Sequence, residues 1–397
     1  MASGKIILRI ALIDVIDNIY SNINNDKFCG GVYLDLQKAF DTVNHDILLY
    51  KLYHYGVRGV THDWFRDYLT NRQQFTSLSG INSSFAYLAC GVPQGSVLGP
   101  LLFLIYVNDI GNAVPYQAVK LFADDTNLFV FGDSLADIEN QASNCVCALN
   151  NWFVSNKLSL NLSKTCFMIF SPKPVSKQSL VVNAQLVELV SNCKYLGIII
   201  DDQLKWVPHI DNIYNKIIKF SSIFYKLREK LPNKMLKDIY YTFVYPHLLN
   251  GIELYGNTKA SYLDKLIKLN NKLLRILQSK PLSTPTRELY KTYNTLQLPD
   301  LHKQQLLLFV HKYVHHPEKL PEIFVADKFF IFNEEIHDYN TRNKSNMHIY
   351  YSKNSAGLRT IRHKAAVLWN ELPVSLQEIN SLSVFKNKLK QYLLLSY

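Results

Sequence analysis

Val119-Lys120-Leu121-Phe122-Ala123-Asp124-Asp125-Thr126-Asn127-Leu128-Phe129-Val130-Phe131 reads as two short strands, 119–122 and 127–131, joined through a turn that carries two adjacent acids. Upstream, Lys27-Phe28-Cys29-Gly30-Gly31 leads into Val32-Tyr33-Leu34-Asp35, an apolar strand-like run ending in a third acid. Phe40, Val43, Ile47, Leu48 and Leu52 then recur at helical spacing, closed by Gly56. If these strands are antiparallel neighbours, Asp35, Asp124 and Asp125 reach one edge of a sheet. Hard divalent cations take oxygen ligands of this kind. Two Mg²⁺ ions about 3.5–4 Å apart activate an attacking hydroxyl and stabilise the leaving oxygen of a phosphoryl transfer. The expected chemistry is nucleotidyl transfer, although two acids in a polar turn are equally a common solvated turn, and the pair alone leaves both readings open.

Outward from this centre, 6–23 has the period of an amphipathic helix, and 75–78 with 86–89 reads as a hairpin around Gly80-Ile81-Asn82-Ser83-Ser84. Val92-Pro93-Gln94-Gly95-Ser96 opens a segment, 97–110, apolar nearly all round and therefore expected as a buried helix under a sheet. Ser134 and Asp137 suggest a capping box for a helix reaching about residue 158. Strands are expected at 165–170, 180–187 and 195–200, with a breaker at Ser171-Pro172-Lys173-Pro174. From about Trp206 the pattern becomes helical and basic, 327–360 is polar and aperiodic, and a last helix covers 384–395.

The composition fits this division. Of 397 residues, 48% are hydrophobic and 19% charged, which is globular and not disordered. Lys and Arg number 43 against 32 acids, and the net charge of +11 points to an anionic partner. The longest apolar runs, 101–107 and 196–200, are far shorter than the roughly 20 residues of a membrane span, and no signal peptide is recognisable. A soluble chain with no membrane partner is expected. The six cysteines show no C-x-x-C spacing, which argues against a zinc site or disulfide framework. His311 and His315 stand i, i+4 on a helical pattern, but no acid accompanies them at metal-ligand spacing, so a structural or solvated pair is expected.

The ordered set narrows the reading. Leu34-Asp35-Leu36-Gln37-Lys38-Ala39-Phe40-Asp41, Gly91-Val92-Pro93-Gln94-Gly95-Ser96, Phe122-Ala123-Asp124-Asp125, Leu160-Asn161-Leu162-Ser163-Lys164-Thr165 and Tyr195-Leu196-Gly197 closely resemble successive motifs of the reverse transcriptases of non-LTR retrotransposons, particularly the jockey-like lineage. His337-Asp338-Tyr339-Asn340-Thr341-Arg342, Leu368-Trp369-Asn370-Glu371-Leu372-Pro373 and the run after Phe385 resemble the tail of such polyproteins, so the likeness covers nearly the whole chain.

The resemblance implies an α+β fold: a right-hand polymerase palm with an antiparallel sheet and packed helices, then a helical thumb and a small C-terminal segment. It sets partial fingers and palm at 1–203, thumb at 204–320 and a segment of unclear fold at 321–397. It makes Asp35 and Asp124 the principal ligands of two Mg²⁺ ions, for which Mn²⁺ is a substitute, with Asp125 in support and the Leu36 carbonyl as a further ligand. Phe40 lies where the family has a ring beneath the incoming sugar, which disfavours a 2′-hydroxyl; helix core is its competing role. Gln94 and Gly95 resemble the loop that contacts the incoming nucleotide, Gly91 and Gly95 allowing close backbone approach, against the plainer reading of a loop entering a helix. Lys164 matches a lysine that protonates or neutralises departing pyrophosphate, or is a solvated surface lysine. Tyr195, Leu196 and Gly197 form the hairpin that grips the primer end, or an ordinary buried strand. Lys216, Lys219, Lys226, Arg228 and Lys230 belong to a thumb that tracks duplex phosphates.

The implied activity is RNA-directed DNA polymerisation, with RNA template, DNA primer and dNTP as partners, in the nucleus or cytoplasm. The chain also departs from the family. Only about 34 residues precede Asp35, and neither an endonuclease nor an RNase H constellation is visible, so an N-terminally truncated copy is expected. Two rival readings remain: a catalytically silent remnant that binds nucleic acid through its basic surface, and a two-metal phosphodiesterase built from the same acids.

Overall fold

The computed structural model describes residues 2–93, 95–115, 119–123, 125–171, 180–182, 185–336 and 344–395. The tail-like run His337 to Arg342 therefore lies outside the described residues. Contacts divide the chain into two units, residues 27–191 and residues 1–26 together with 192–397. Helix α1 (Ala2–Asn24) thus belongs to the second unit.

The first unit begins with β1 (Phe28–Leu34), which includes the glycine pair that the sequence suggests precedes the strand. Space explains the choice: a Cβ on Gly30 would come within 2.5 Å of Ile138 Cγ2, and one on Gly31 within 3.2 Å of the Phe129 and Phe170 rings. At these two positions the strand is covered too tightly for a side chain. Next come α2 (His45–His54) and α3 (Val60–Leu69). The helical spacing that starts at Phe40 is interrupted, because Asn44 caps α2 by accepting from the Ile47 N–H at 3.0 Å, leaving 39–41 as a separate 3₁₀ turn.

The expected hairpin is a nested pair. The strands β2 (Gln73–Gln74) and β5 (Ala86–Tyr87) enclose β3 (Ser77–Leu78) and β4 (Ile81–Asn82). Helix α4 (Leu98–Val107) differs from the buried helix expected: it buries Leu102, Phe103, Tyr106 and Val107 but exposes Leu101 and Leu104, with Val97 exposed ahead of it. The acidic hairpin, β6 (Val119–Phe122) and β7 (Asp125–Gly132), leads to α5 (Leu135–Ser155), capped as expected by Ser134, which accepts from the Asp137 N–H at 3.1 Å. After β8 (Cys166–Phe170), the single strand expected at 180–187 is two antiparallel strands, β9 (Leu180–Val182) and β10 (Gln185–Leu189).

The six strands order as β6-β7-β1-β8-β10-β9, antiparallel throughout except for the parallel β8·β10 pair. Helix α5 packs on this sheet through Ile138, Ala142, Val146, Leu149 and Phe153, all in one buried cluster with Val32, Leu34, Leu128 and Phe167. Lys51 braces α2 against α4: its Nζ donates to the Tyr106 carbonyl and the Asp109 carboxylate, both at 2.6 Å, and lies 4.8 Å from the Trp152 ring centroid. Burial lowers its pKa, against the pull of Asp109.

The second unit holds the hairpin β11 (Asn192–Tyr195) and β12 (Ile198–Asp201), then α6 (Val207–Ile218), α7 (Phe220–Leu227), α8 (Asn233–Phe243), α9 (Tyr245–Leu249), α10 (Ile252–Tyr255) and α11 (Ala260–Leu277). It continues through α12 (Thr286–Tyr293), α13 (Leu298–His315), α14 (Glu322–Ala326), α15 (Asn333–Ile336), α16 (Ile361–Asn370), α17 (Val374–Gln377) and α18 (Leu382–Leu395). Helix α1 is stitched in from the far end of the sequence: the Arg362 N–H donates to Asp17 Oδ1 at 3.0 Å, and the Lys353 N–H to Asn24 Oδ1 at 2.9 Å. The histidines at the end of α13 are structural. His311, His315 and His316 donate to the carbonyls of Ile379, Gln377 and Asn380 at 2.6, 2.8 and 2.8 Å. No helix among the described residues is long and apolar enough to cross a membrane.

Candidate active site

Strand register carries two of the three acids to the same end of neighbouring strands. Leu34 pairs with Thr126, and Asp35 and Asp125 are the next residues along the two chains. Asp125 in turn pairs with Phe122, so the chain reverses tightly between β6 and β7. Ala123, within that reversal, takes a φ of +53°. A left-handed conformation costs a non-glycine residue about 1–2 kcal/mol, and such strain concentrates at functional turns. Asp124 lies outside the described residues.

Asp35 is held by the segment 159–165. The Gln37 N–H donates to the Ser159 carbonyl at 2.9 Å and the Asn161 N–H to the Asp35 carbonyl at 2.7 Å, bracketing a bridge between Leu36 and Leu160 that fixes the Leu36 backbone. Asn161 also reaches the side chain: its Nδ2 donates to Asp35 Oδ2 at 2.9 Å. Ser163 Oγ donates to Asn161 Oδ1 at 2.8 Å, which orients the amide with its nitrogen toward the carboxylate. Thr165 Oγ1 donates to the Asn161 carbonyl at 2.9 Å and accepts from the Asp35 N–H at 3.5 Å. Lys164 Nζ stands 3.9 Å from Asp35 Oδ2, with the two side chains 70% and 43% exposed. An ion pair this open is worth about 0–1 kcal/mol, so the ammonium exchanges readily onto another anion.

The Pro93 loop lies against the residues that follow Asp35. The Gly91 N–H donates to the Val43 carbonyl at 2.7 Å and the Val92 N–H to the Phe40 carbonyl at 2.9 Å. Gly91 has a φ of +91°, and a Cβ there would sit 2.8 Å from the Asp41 carbonyl oxygen, so no other residue passes. His45 Nε2 donates to the Gly91 carbonyl at 2.8 Å, pinning the loop to α2. Ser96 Oγ donates to the Pro93 carbonyl at 2.7 Å and accepts from the Gly99 N–H at 2.9 Å, turning the loop into α4. Gly95 has a φ of +81° and open space around it. Gln94 lies outside the described residues. Phe40 is half-buried, its ring tilted against Phe103 with centroids 4.5 Å apart.

The Tyr195 motif belongs to the other unit. Tyr195 is buried and pairs with Ile198, while Leu196 (φ +48°) and Gly197 (φ +82°) make the turn between β11 and β12. Positive φ at both central residues marks a type I′ hairpin turn, where Asn-Gly is the usual pair and leucine is strained.

Asn161, Ser163, Thr165 and His45 carry supporting roles that sequence reasoning did not assign. The signal for Asn161 was its place in the run ending at Lys164; nothing in the spacing marks its amide as a partner of Asp35. Chemically, the described part of the site is an oriented carboxylate just past β1, a second carboxylate at the start of β7 and an ammonium within reach. Asp35 uses Oδ2 for its protein contacts, and Oδ1 has no protein partner among the described residues. Such oxygens suit a hard divalent ion. Among the described residues no group of three His, Cys, Asp or Glu is placed to hold a metal, and those residues do not include Asp124.

Residues 10–200 match the family model for reverse transcriptase (RNA-dependent DNA polymerase), and that segment is a reverse-transcriptase domain. Its relatives come from non-LTR retrotransposons. The chain is 28% identical over 312 residues to the RNA-directed DNA polymerase from mobile element jockey of Drosophila melanogaster, covering 75% of this chain and 34% of that protein. It is 26% identical over 309 residues to the jockey polymerase of Drosophila funebris, with the same coverage of both chains. To the probable RNA-directed DNA polymerase from transposon BS of Drosophila melanogaster it is 26% identical over 296 residues, 70% of this chain and 32% of that one. The chain thus spans about a third of the length of these curated relatives.

Proposed function

We propose that this chain catalyses RNA-templated DNA synthesis, the primer 3′-hydroxyl attacking the α-phosphate of a dNTP and releasing pyrophosphate. The observation that carries the reading is Asp35 oriented by Asn161, with Lys164 beside it and Asp125 at the same end of the neighbouring strand. Asp35, Asp124 and Asp125, with the Leu36 carbonyl, would hold divalent ions, Mg²⁺ first and Mn²⁺ as substitute. When bound, such ions favour the deprotonated hydroxyl and balance the charge of the leaving group.

The protein's own groups do the rest. Asn161 keeps the Asp35 carboxylate in one rotamer, so no reorientation is needed when charge develops. Lys164 offers a proton or a positive charge to the departing pyrophosphate. The Gly91 to Gly95 loop lets backbone approach the nucleotide, with Gln94 as its polar contact, and Phe40 supplies a ring beneath the sugar. In this reading the sheet unit is the palm, the helices from about residue 204 to 320 are the thumb, and the hairpin at Tyr195, Leu196 and Gly197 grips the primer end. RNA template, DNA primer and dNTP are the partners.

Primer extension with Asp35→Asn and Asp124→Asn tests the assignment. Both substitutions keep size and remove charge, so extension falls to background while circular dichroism and melting stay those of the wild type. Extension by either variant at the wild-type rate overturns the assignment.

A further inference from the structure

A cleft between α7 and α11, inside the helical unit, has the chemistry of a ligand site that the polymerase reaction leaves unexplained. Its volume is about 660 Å³, and its lining includes Lys226 and Arg228 from one side and Lys272, Arg275 and Lys280 from the other, with no carboxylate. That volume falls within the roughly 300–1,000 Å³ of sites that enclose a small ligand. Five cations around an open cleft, of which Arg228 alone is paired with a neighbouring acid, Glu229, among the ion pairs described, make a positive field that attracts an anion.

Arg228 gives one terminal nitrogen to Glu229 Oε1 at 3.2 Å, and Arg275 gives one to the Thr284 carbonyl at 3.0 Å. The Nε atoms of both arginines and Ser221 Oγ are buried with no protein partner among the described residues. These three atoms lie behind the cleft surface, and the groups that meet a ligand are the exposed ammonium groups of Lys226, Lys272 and Lys280. Exposed apolar surface joins the basic lining: the Arg228 guanidinium lies 3.9 Å over the Tyr225 ring, Tyr225 is 58% exposed and Leu282 is 81% exposed.

We propose that this cleft binds one unpaired nucleotide of a single-stranded polynucleotide, its phosphate among the cations and its base on Tyr225. A duplex hides its base faces in its own stack and offers phosphates alone; a single strand also offers a base face to the exposed part of the Tyr225 ring. The proposal rests on the nucleic-acid reading of the chain but not on its catalysis.

The test is fluorescence anisotropy of the full chain with a labelled 12-nucleotide oligouridylate, beside a duplex of the same length. Lys226→Glu with Lys272→Glu is expected to weaken single-strand binding at least tenfold and to reduce the log–log salt slope by about 1.4, the release expected for two phosphate contacts. Tyr225→Ala is expected to cost the single strand roughly tenfold, with the salt slope and duplex affinity unchanged. The measurement is made with EDTA and without dNTP, which separates this site from the catalytic reading. Melting curves confirm that each variant is folded. Equal losses from Lys259→Glu with Lys291→Glu, outside the cleft, would reduce the effect to general charge and overturn the proposal. So would a Tyr225→Ala variant of full affinity, or displacement of the oligonucleotide by inorganic phosphate at equal phosphate concentration.

Discussion

Replacing Asn161 by alanine separates the orientation of the catalytic carboxylate from its presence. The amide donates to Asp35 Oδ2 at 2.9 Å and is itself aligned by Ser163. A hydrogen bond to a charged group contributes about 1.5–3 kcal/mol. Asp35 is 43% exposed, so water replaces part of the lost donor, and the remainder is about 1 kcal/mol, or roughly fivefold in rate. The backbone bonds from Asn161 to Asp35 and from Gln37 to Ser159 do not use the side chain, so the fold and melting temperature persist. Single-turnover primer extension across a Mg²⁺ titration reads the effect: Asn161→Ala falls about fivefold at subsaturating metal and recovers as metal rises. Asn161→Asp, which also sets a like charge beside Asp35, falls further and shows a steeper metal dependence. Unchanged extension by Asn161→Ala at subsaturating Mg²⁺ would refute the orienting role.

Three other outcomes follow from the structure. Leu196→Asn relieves a left-handed leucine and raises stability by about 0.5–1 kcal/mol in a denaturant titration; if the leucine touches the primer, KM for primer–template rises in the same variant. Gly30→Ala forces a methyl to 2.5 Å from Ile138 Cγ2 and destabilises by about 1–3 kcal/mol, and Gly30→Ala with Ile138→Ala recovers part of the loss, so the two effects are not additive in urea melts. Acid destabilises the helical unit through His209 and His302, whose pKa values burial lowers to about 4. Because the folded-state pKa lies below the unfolded value of 6.5, the stabilisation is present above pH 6.5 and is lost as pH falls toward 4; at pH 5 each histidine costs about 2 kcal/mol. His302→Gln then flattens thermal stability between pH 7 and pH 5, and an unchanged pH profile counts against the assignment.

The elements most legible in the sequence were those in which one local pattern dominates. Alternation and an acidic turn marked β6 and β7, and Ser134 marked the start of α5. Where two patterns compete, tertiary packing decided. Gly30 and Gly31 look like a turn, yet they are strand because Ile138 and two phenylalanine rings occupy the space of their side chains. Leu101 and Leu104 look like core, but α4 turns Leu102, Phe103 and Tyr106 into the buried cluster and leaves those two exposed. In the site, acids and the lysine are recognisable by type, whereas Asn161 acts through one directed amide bond across 126 residues, which no periodicity records. The membership of α1 in the helical unit was equally invisible, since its partners Arg362 and Lys353 lie more than 300 residues away.

That last arrangement shapes how the chain is made. The residues that hold Asp17 and Asn24 are made more than 300 residues after α1, so the helix waits through that stretch of translation without these partners. The sheet unit, by contrast, closes within one consecutive stretch. A premature stop codon ahead of Arg362 would therefore leave the motif-bearing sheet encoded but strand α1, so that a nonsense change in one stretch becomes an exposure hazard in a helix made hundreds of residues before it.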